Sequence, residues 1–170
     1  HKTVPVLVDG DREIGDSWVI ANHLAKNHDP DNLLFGGAGG YPLACFITRW
    51  VDACIMGALN RIIVKDIHDS IHQADQAKYR EKQETRYGQS LETLHSTGGA
   101  GLIDFQVSLY PARQAIKEHP YLGGESPNYA DFTLHSAFRW SRLISKIELL
   151  RPDDRLRSWI HRMDVWLKID

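Results

Sequence analysis

The stretch YPLACFITRWVDACIMGALNRIIVKDIH, residues 41–68, constrains the fold of this chain more than any other. Leu43, Phe46, Ile47, Trp50, Val51, Cys54, Ile55, Leu59, Ile62 and Ile63 recur three and four apart over about five turns. Residues at that spacing share one face of an α-helix, and such a stripe must be buried against other elements. The downstream sequence supplies helices to bury it. Residues 74–96 read as a second, polar helix with a thin apolar side of Tyr79, Tyr87, Leu91 and Leu94. After the break STGGAG a third helix covers about 102–118. A fourth starts near Asn128, and a last one after Pro152 carries Leu156, Trp159, Ile160, Met163 and Leu167. Helices joined by Gly/Pro breaks make an all-α bundle.

The N-terminal segment is built on another period. Val4 to Asp9 alternates around β-branched residues and reads as a strand, and Arg12 to Ile14 as its return. Asp9-Gly10 between them is a type I′ turn signal. Asp16-Ser17 opens a helix, with Ser17 as the expected N-cap and Val19, Ile20 and Leu24 as its apolar face. A two-stranded hairpin alone is marginal in water. Residues 28–42, HDPDNLLFGGAGGYP, hold no periodicity and read as a flexible linker. They lack the Gly-Lys-Ser/Thr chemistry of a phosphate cradle.

Charge excludes some partners. The 170 residues carry a formal net charge of −2, which offers no electrostatic attraction to nucleic acid or to an anionic membrane. No apolar run approaches the ~18–20 residues of a bilayer span. No signal-peptide pattern is present, and the chain does not begin with Met, so sequence upstream of it is expected. Cys45 and Cys54 lie nine residues apart on one helix, on roughly opposite faces, where they cannot bond to each other. Two unpaired thiols fit a reducing, cytoplasmic setting. No metal site is expected. His68 and His72 share a helix face with Asp66, Asp69 and Asp75 nearby, but lack a third ligand at a recognised spacing and read as a solvated helix end. No Ser/His/Asp order suggests a hydrolase.

NYADF, residues 128–132, is a helix start in which Asn128 caps and Asp131 reaches back to the cap amide, a capping box with Asp in place of Glu. Pro127 and Phe132 occupy the hydrophobic-staple positions.

Taken together, strand–turn–strand–helix, linker, all-α bundle and NYADF box resemble a cytosolic glutathione transferase lacking roughly its first third. VPVLVDGDREIGDSWVIA, YREKQETRYGQSLE and LGGESPNYADF are similar to the β-etherase-related transferases, which include the fungal FuA class. The resemblance implies residues 1–28 as the latter part of a thioredoxin-like domain, 29–41 as linker and 42–170 as the C-terminal helical domain. It implies that Pro5 is a cis-proline presenting the backbone of Val4 to glutathione as to an added strand. Ser17 would offer its hydroxyl and free helix N-terminal amides to the γ-glutamyl carboxylate, Asp16 would hold the γ-glutamyl amine, and Lys2 the glycyl carboxylate. Trp50, Arg80 and Tyr87 would border a cleft for an apolar or aromatic co-substrate. The family's thiol-activating residue precedes all of these elements, and none is assigned to this chain. A homodimer is implied for the full-length protein. The implied activity is thiol conjugation or glutathione-dependent ether cleavage, or, alternatively, non-catalytic carriage of hydrophobic small molecules. Without the resemblance, Ser17 is a plain N-cap, Pro5 an edge-strand proline, Trp50 a core aromatic, and Arg80 and Tyr87 parts of an exposed charged face.

Overall fold

The computed structural model describes residues 4–96 and 98–169, the side chains of residues 96–100 excepted. Lys2 lies outside the described residues. The chain is mainly helical, with one antiparallel hairpin at its start, β1 (Val6–Asp9) and β2 (Arg12–Gly15). Val6 pairs with Gly15 and Asp9 with Arg12, leaving Gly10 and Asp11 as the turn. Only Gly10, at φ 60°, takes a positive φ there. That is the type II′ pattern rather than the expected type I′, which needs positive φ at both central residues.

The helix α1 (Ser17–His28) begins one residue away from the expected arrangement. Asp16, not Ser17, is the N-cap: its Oδ1 accepts from Trp18 N at 2.9 Å and Val19 N at 3.1 Å. A carboxylate on the helix's positive end is the stronger cap, and it moves Ser17 into the first helical position. Asp16 sits at φ 72°, a value unusual for a non-glycine residue. At the other end of the hairpin, Asp9 Oδ2 meets the Nε2 atoms of His23 at 2.6 Å and of His28 at 2.9 Å, tying the turn to α1.

Residues 29–39 are irregular but packed, a correction to the flexible linker read from GGAGG. The Asp29 carboxylate accepts from Leu33 N at 2.9 Å and Leu34 N at 2.7 Å. Phe35 is buried with Ala21 and Ala44, and its ring lies 5.5 Å from Trp18, 5.2 Å from Tyr41 and 5.6 Å from Tyr129. The glycines serve close approach as much as freedom: a Cβ on Gly40 would fall 1.5 Å from the Phe35 carbonyl oxygen.

The periodic stretch forms one continuous 31-residue helix, Gly40–Ser70. It comprises α2 (Gly40–Trp50), a π-helical turn (Val51–Met56) and α3 (Gly57–Ser70). By length and composition this helix reaches the threshold of a membrane span, a correction to the expectation that no apolar run does, because its few charged residues are spread along an otherwise apolar stretch. Its inward residues Val51, Ile55, Leu59, Ile62, Ile63 and Ile67 are buried against other helices, the behaviour of a bundle's central helix. Its first turns differ: Leu43 and Phe46 are exposed, and Cys54 faces solvent.

Two expected helices are each two. Residues 74–96 divide at Gly88, an αL cap, into α4 (Gln73–Tyr87) and α5 (Leu91–Ser96). Residues 102–118 divide at Leu109 into α6 (Gly98–Ser108) and α7 (Tyr110–Glu118). Then follow α8 (Tyr129–Ile144) and α9 (Arg155–Leu167). The core gathers Phe105, Leu109, Leu134, Phe138, Trp159 and Met163 around the buried face of α3.

Buried charge is matched. Asp154 caps α9 and also accepts from the Arg113 guanidinium at 2.7 Å. Asp164 is shared by Arg142, at 3.0 Å, and the Nε2 of buried His135, at 2.7 Å. Burial, with Arg142 and Arg139 nearby, holds the His135 imidazole below its usual pKa of 6.5, against the pull of Asp164. The native state therefore binds fewer protons than the unfolded chain just below that value, so stability falls as pH drops through about 6.5. Asp154 and Asp164, both lowered, add losses only in the carboxylate range. The urea midpoint is expected to drop between pH 7.5 and pH 5, with a smaller drop in His135→Gln. An unchanged midpoint, or an equal drop in the variant, contradicts this assignment.

Candidate functional site

The register of the hairpin assembles the candidate site. With Val6 opposite Gly15, the chain before β1 runs back toward the start of α1, so Val4 and Pro5 approach Asp16 and Ser17. The Val4–Pro5 peptide is cis, and Val4 is 89% exposed. Pro5 and Ser17 line one cavity of about 360 Å³ together with Leu7, Ile20, Leu24 and Phe132.

The donors at this helix end are fewer than expected. The Asp16 carboxylate takes the amides of Trp18 and Val19, and the Asp16 carbonyl takes that of Ile20 at 2.9 Å. Among the described residues, the Ser17 N–H and hydroxyl are the donors of this turn left for a ligand. The Ser17 carbonyl accepts from the Tyr129 hydroxyl at 3.2 Å, which ties α8 to the site. Burial, with the Asp16 and Asp52 carboxylates nearby, raises the Tyr129 phenol above its ordinary value, so it remains a donor at neutral pH. Both cap bonds fall on Asp16 Oδ1, and among the described residues no hydrogen bond to its Oδ2 is found.

The capping box forms as read, and it does more than cap. Asn128 Oδ1 accepts from Ala130 N at 2.9 Å, and Asp131 Oδ2 accepts from Asn128 N at 3.2 Å. Asp131 is also fully buried and accepts from Leu122 N at 2.7 Å, Gly123 N at 2.8 Å and Trp159 Nε1 at 2.9 Å. The Asn128 side chain packs against Gly36 and Gly123, and Tyr129 N donates to Leu34 O at 2.8 Å. The box thus anchors the 29–39 segment, and through Tyr129 the start of α1.

Trp50, Arg80 and Tyr87 occupy separate surroundings. Trp50 packs on the main core. Arg80 is held by Glu84 at 2.9 Å and Glu92 at 2.8 Å, which keep its guanidinium charged and pull the Glu92 carboxyl down to about 2. Tyr87 packs on buried Val64, Leu91 and Leu94, and its buried hydroxyl has no hydrogen-bond partner among the described residues. Tyr79 beside it is pushed up to about 12 by burial. His68 and His72 do not act as a pair: His68 Nδ1 meets Asp69 at 2.8 Å, and His72 Nδ1 caps α4 through Ala74 N at 3.2 Å. Sequence reasoning overlooked Asp9, His23 and His28 instead. Histidines five apart match no ligand motif, and Asp9 joins them only through the hairpin's tertiary packing.

Among solved structures, glutathione transferase GSTFuA3 from Phanerochaete chrysosporium superposes with a TM-score of 0.84 at 18% identity, over 100% of this chain and 72% of that one. CsGST63524 of Ceriporiopsis subvermispora, solved with glutathione, gives 0.79 at 18% identity over 98% and 71%. The theta-class enzyme of Xanthomonas axonopodis pv. citri, solved with glutathione bound, gives 0.66 at 23% identity over 95% and 68%. At these identities the likeness is one of fold. The family itself rests on sequence: residues 43–166 match the model described as glutathione S-transferase, C-terminal domain, and the chain belongs to that family.

Proposed function

We propose that this chain binds glutathione at the junction of the hairpin and α1. The observation that carries the reading is that Pro5 and Ser17 line one cavity, with Val4, joined to Pro5 by a cis peptide, exposed beside it. The Val4 N–H and C=O would pair with the extended tripeptide as a neighbouring strand does. The Ser17 N–H and hydroxyl would receive the γ-glutamyl carboxylate at the positive end of α1, and Asp16 Oδ2 the γ-glutamyl amine. Lys2 is proposed for the glycyl carboxylate. Glutathione in the solved relatives from Ceriporiopsis and Xanthomonas makes it the ligand to test first.

The finer reading follows from VPVLVDG, YREKQ and LGGESPNYADF: a β-etherase-related, FuA-like transferase acting as a homodimer in the cytoplasm. Residues 1–28 would serve glutathione, 29–41 connect, and 42–170 form the helical domain bordering an apolar or aromatic co-substrate near Trp50, Arg80 and Tyr87. The reaction would be thiolate attack, giving a conjugate or a cleaved aryl ether. This chain's part is to bind and orient the peptide, which brings thiol and co-substrate together. No residue here is assigned to activating the thiol.

The alternative reading, carriage of an apolar molecule without turnover, has one place to be tested. A cavity of about 580 Å³ lies between α8, residues 145–150 and α9; the apolar Phe138, Leu149, Leu150 and Ile160 line it, but polar and charged side chains, among them Arg142, Lys146, Glu148, Arg157 and Asp164, line it as much. It contains no residue of the glutathione junction.

Titration calorimetry of reduced glutathione into the full chain is expected to show one site, weakened at least about tenfold by Ser17→Ala, the loss of one charge-assisted hydrogen bond. No binding, or equal binding by the variant, overturns the assignment.

A further inference from the structure

The turn end of the hairpin, at the far end of β1 from the proposed glutathione junction, gathers three metal-binding side chains. Both His23 Nε2 and His28 Nε2 converge on a single oxygen, Asp9 Oδ2, at 2.6 and 2.9 Å. The three candidate ligand atoms lie within 4.8 Å of one another. We propose that Asp9, His23 and His28 form a zinc site that clamps the hairpin turn onto α1.

The donor set fits that ion. Zinc is bound by imidazole nitrogen and carboxylate oxygen, and sites with three protein ligands keep a fourth position for water. Tetrahedral ligands about 2.0–2.1 Å from zinc stand about 3.3 Å apart. The present separations are those of hydrogen bonds, so admitting the ion requires the carboxylate to retreat by about half an ångström. Asp9 and His28 are 37% and 50% exposed and can make that adjustment, while His23, at 12%, is held in place. The site comes from two elements, because Asp9 ends β1 whereas His23 and His28 lie on α1.

The two imidazoles must turn their Nε2 lone pairs to the ion, with the proton on Nδ1. The His23 Nδ1 lies 3.1 Å from the amide nitrogen of exposed Asn27. That amide also donates to the His23 carbonyl at 2.8 Å, a bond it has to give up as it rotates to present its oxygen to Nδ1, the role of partners behind metal-bound histidines. Both histidines already direct Nε2 to the carboxylate that would share the ion with them, so the ligands converge before the ion enters. Other borderline divalent ions suit the same donors, and cobalt serves as a spectroscopic probe of the geometry.

The test is calorimetric titration of zinc chloride into the chelator-stripped full chain. One equivalent is expected to bind, with affinity reduced at least tenfold in His28→Gln and further in the His23→Gln/His28→Gln double variant. His28→Gln alters a half-exposed residue in the last turn of α1, so its fold is checked by circular dichroism against the parent. Cobalt is expected to give strong visible absorption in the parent and to lose it in Asp9→Asn. No saturable site overturns the proposal. So does zinc affinity unchanged in folded His28→Gln, including the case in which binding is lost instead in His72→Gln.

Discussion

Replacing Asp131 with alanine is expected to destabilise the chain by about 4–5 kcal/mol, the range reached when a buried hydrogen-bond network is broken. Its carboxylate is fully buried and satisfies four donors: the amides of Leu122, Gly123 and Asn128 and the indole N–H of Trp159. Alanine removes every acceptor from these four donors at once. A buried donor left unpaired costs about 1–3 kcal/mol, so even partial rescue by solvent leaves a large deficit. Asp131→Asn is nearly isosteric, keeps one acceptor oxygen and turns an NH₂ toward two donors; about 2–3 kcal/mol is expected, set by those donors. Urea unfolding of the three proteins checks both values. A loss under about 1.5 kcal/mol for the alanine variant would mean that the box is an ordinary helix cap, whose removal costs about 1 kcal/mol.

Gly40→Ala is expected to cost about 3 kcal/mol, at the upper end for overpacking. The new Cβ would fall 1.5 Å from the Phe35 carbonyl oxygen, a backbone atom with no rotamer through which to retreat. Relief requires moving residues 35–40, and Phe35 is buried against Trp18, Tyr41 and Tyr129. The strain therefore reaches both α1 and α8. Gly39→Ala is the control: its φ is −91° and its Cβ would meet nothing within 4 Å, so a change within about 0.5 kcal/mol is expected. Equal thermal midpoints for the two variants would show that the 35–40 turn yields at little cost.

Legibility in the sequence followed the range of the interactions. The central helix was readable because its signal is a period repeated over many residues, and the Asn128–Asp131 box because both partners lie within one turn. The helix divisions at Gly88 and Leu109 are masked by apolar spacing that runs across them. Gly88 takes φ 65° in an αL cap, a signal present in RYGQS but outweighed by the apolar spacing across it. At Leu109 the signal is Pro111, which sits in the first turn of α7, where its missing N–H costs nothing, and which cannot continue α6. The choice of Asp16 over Ser17 as cap was a contest between adjacent capping residues that charge at the helix end decided.

Long-range partners were invisible for a different reason. Asp131 meets Trp159 across 28 positions, and Tyr129 meets Ser17 across 112. No local pattern encodes either contact. Residues 29–39 illustrate the same point: glycines that permit flexibility in isolation here permit the close approach of Phe35 to Gly40 and of Gly36 to Asn128. Of the proposed site, Val4, Pro5 and Ser17 are reached only through the family resemblance, and the commitment of two helix-end amides to Asp16 is not legible at all.

Amide chemical-shift mapping on the isotope-labelled full chain tests glutathione recognition most directly. Titrated glutathione is expected to shift the Val4, Ser17 and Trp18 amides most, with residues 145–150 unmoved and the same resonances quiet in Ser17→Ala. Saturating shifts confined to residues 138–161, or none at Val4 and Ser17, would contradict glutathione binding at the hairpin–helix junction.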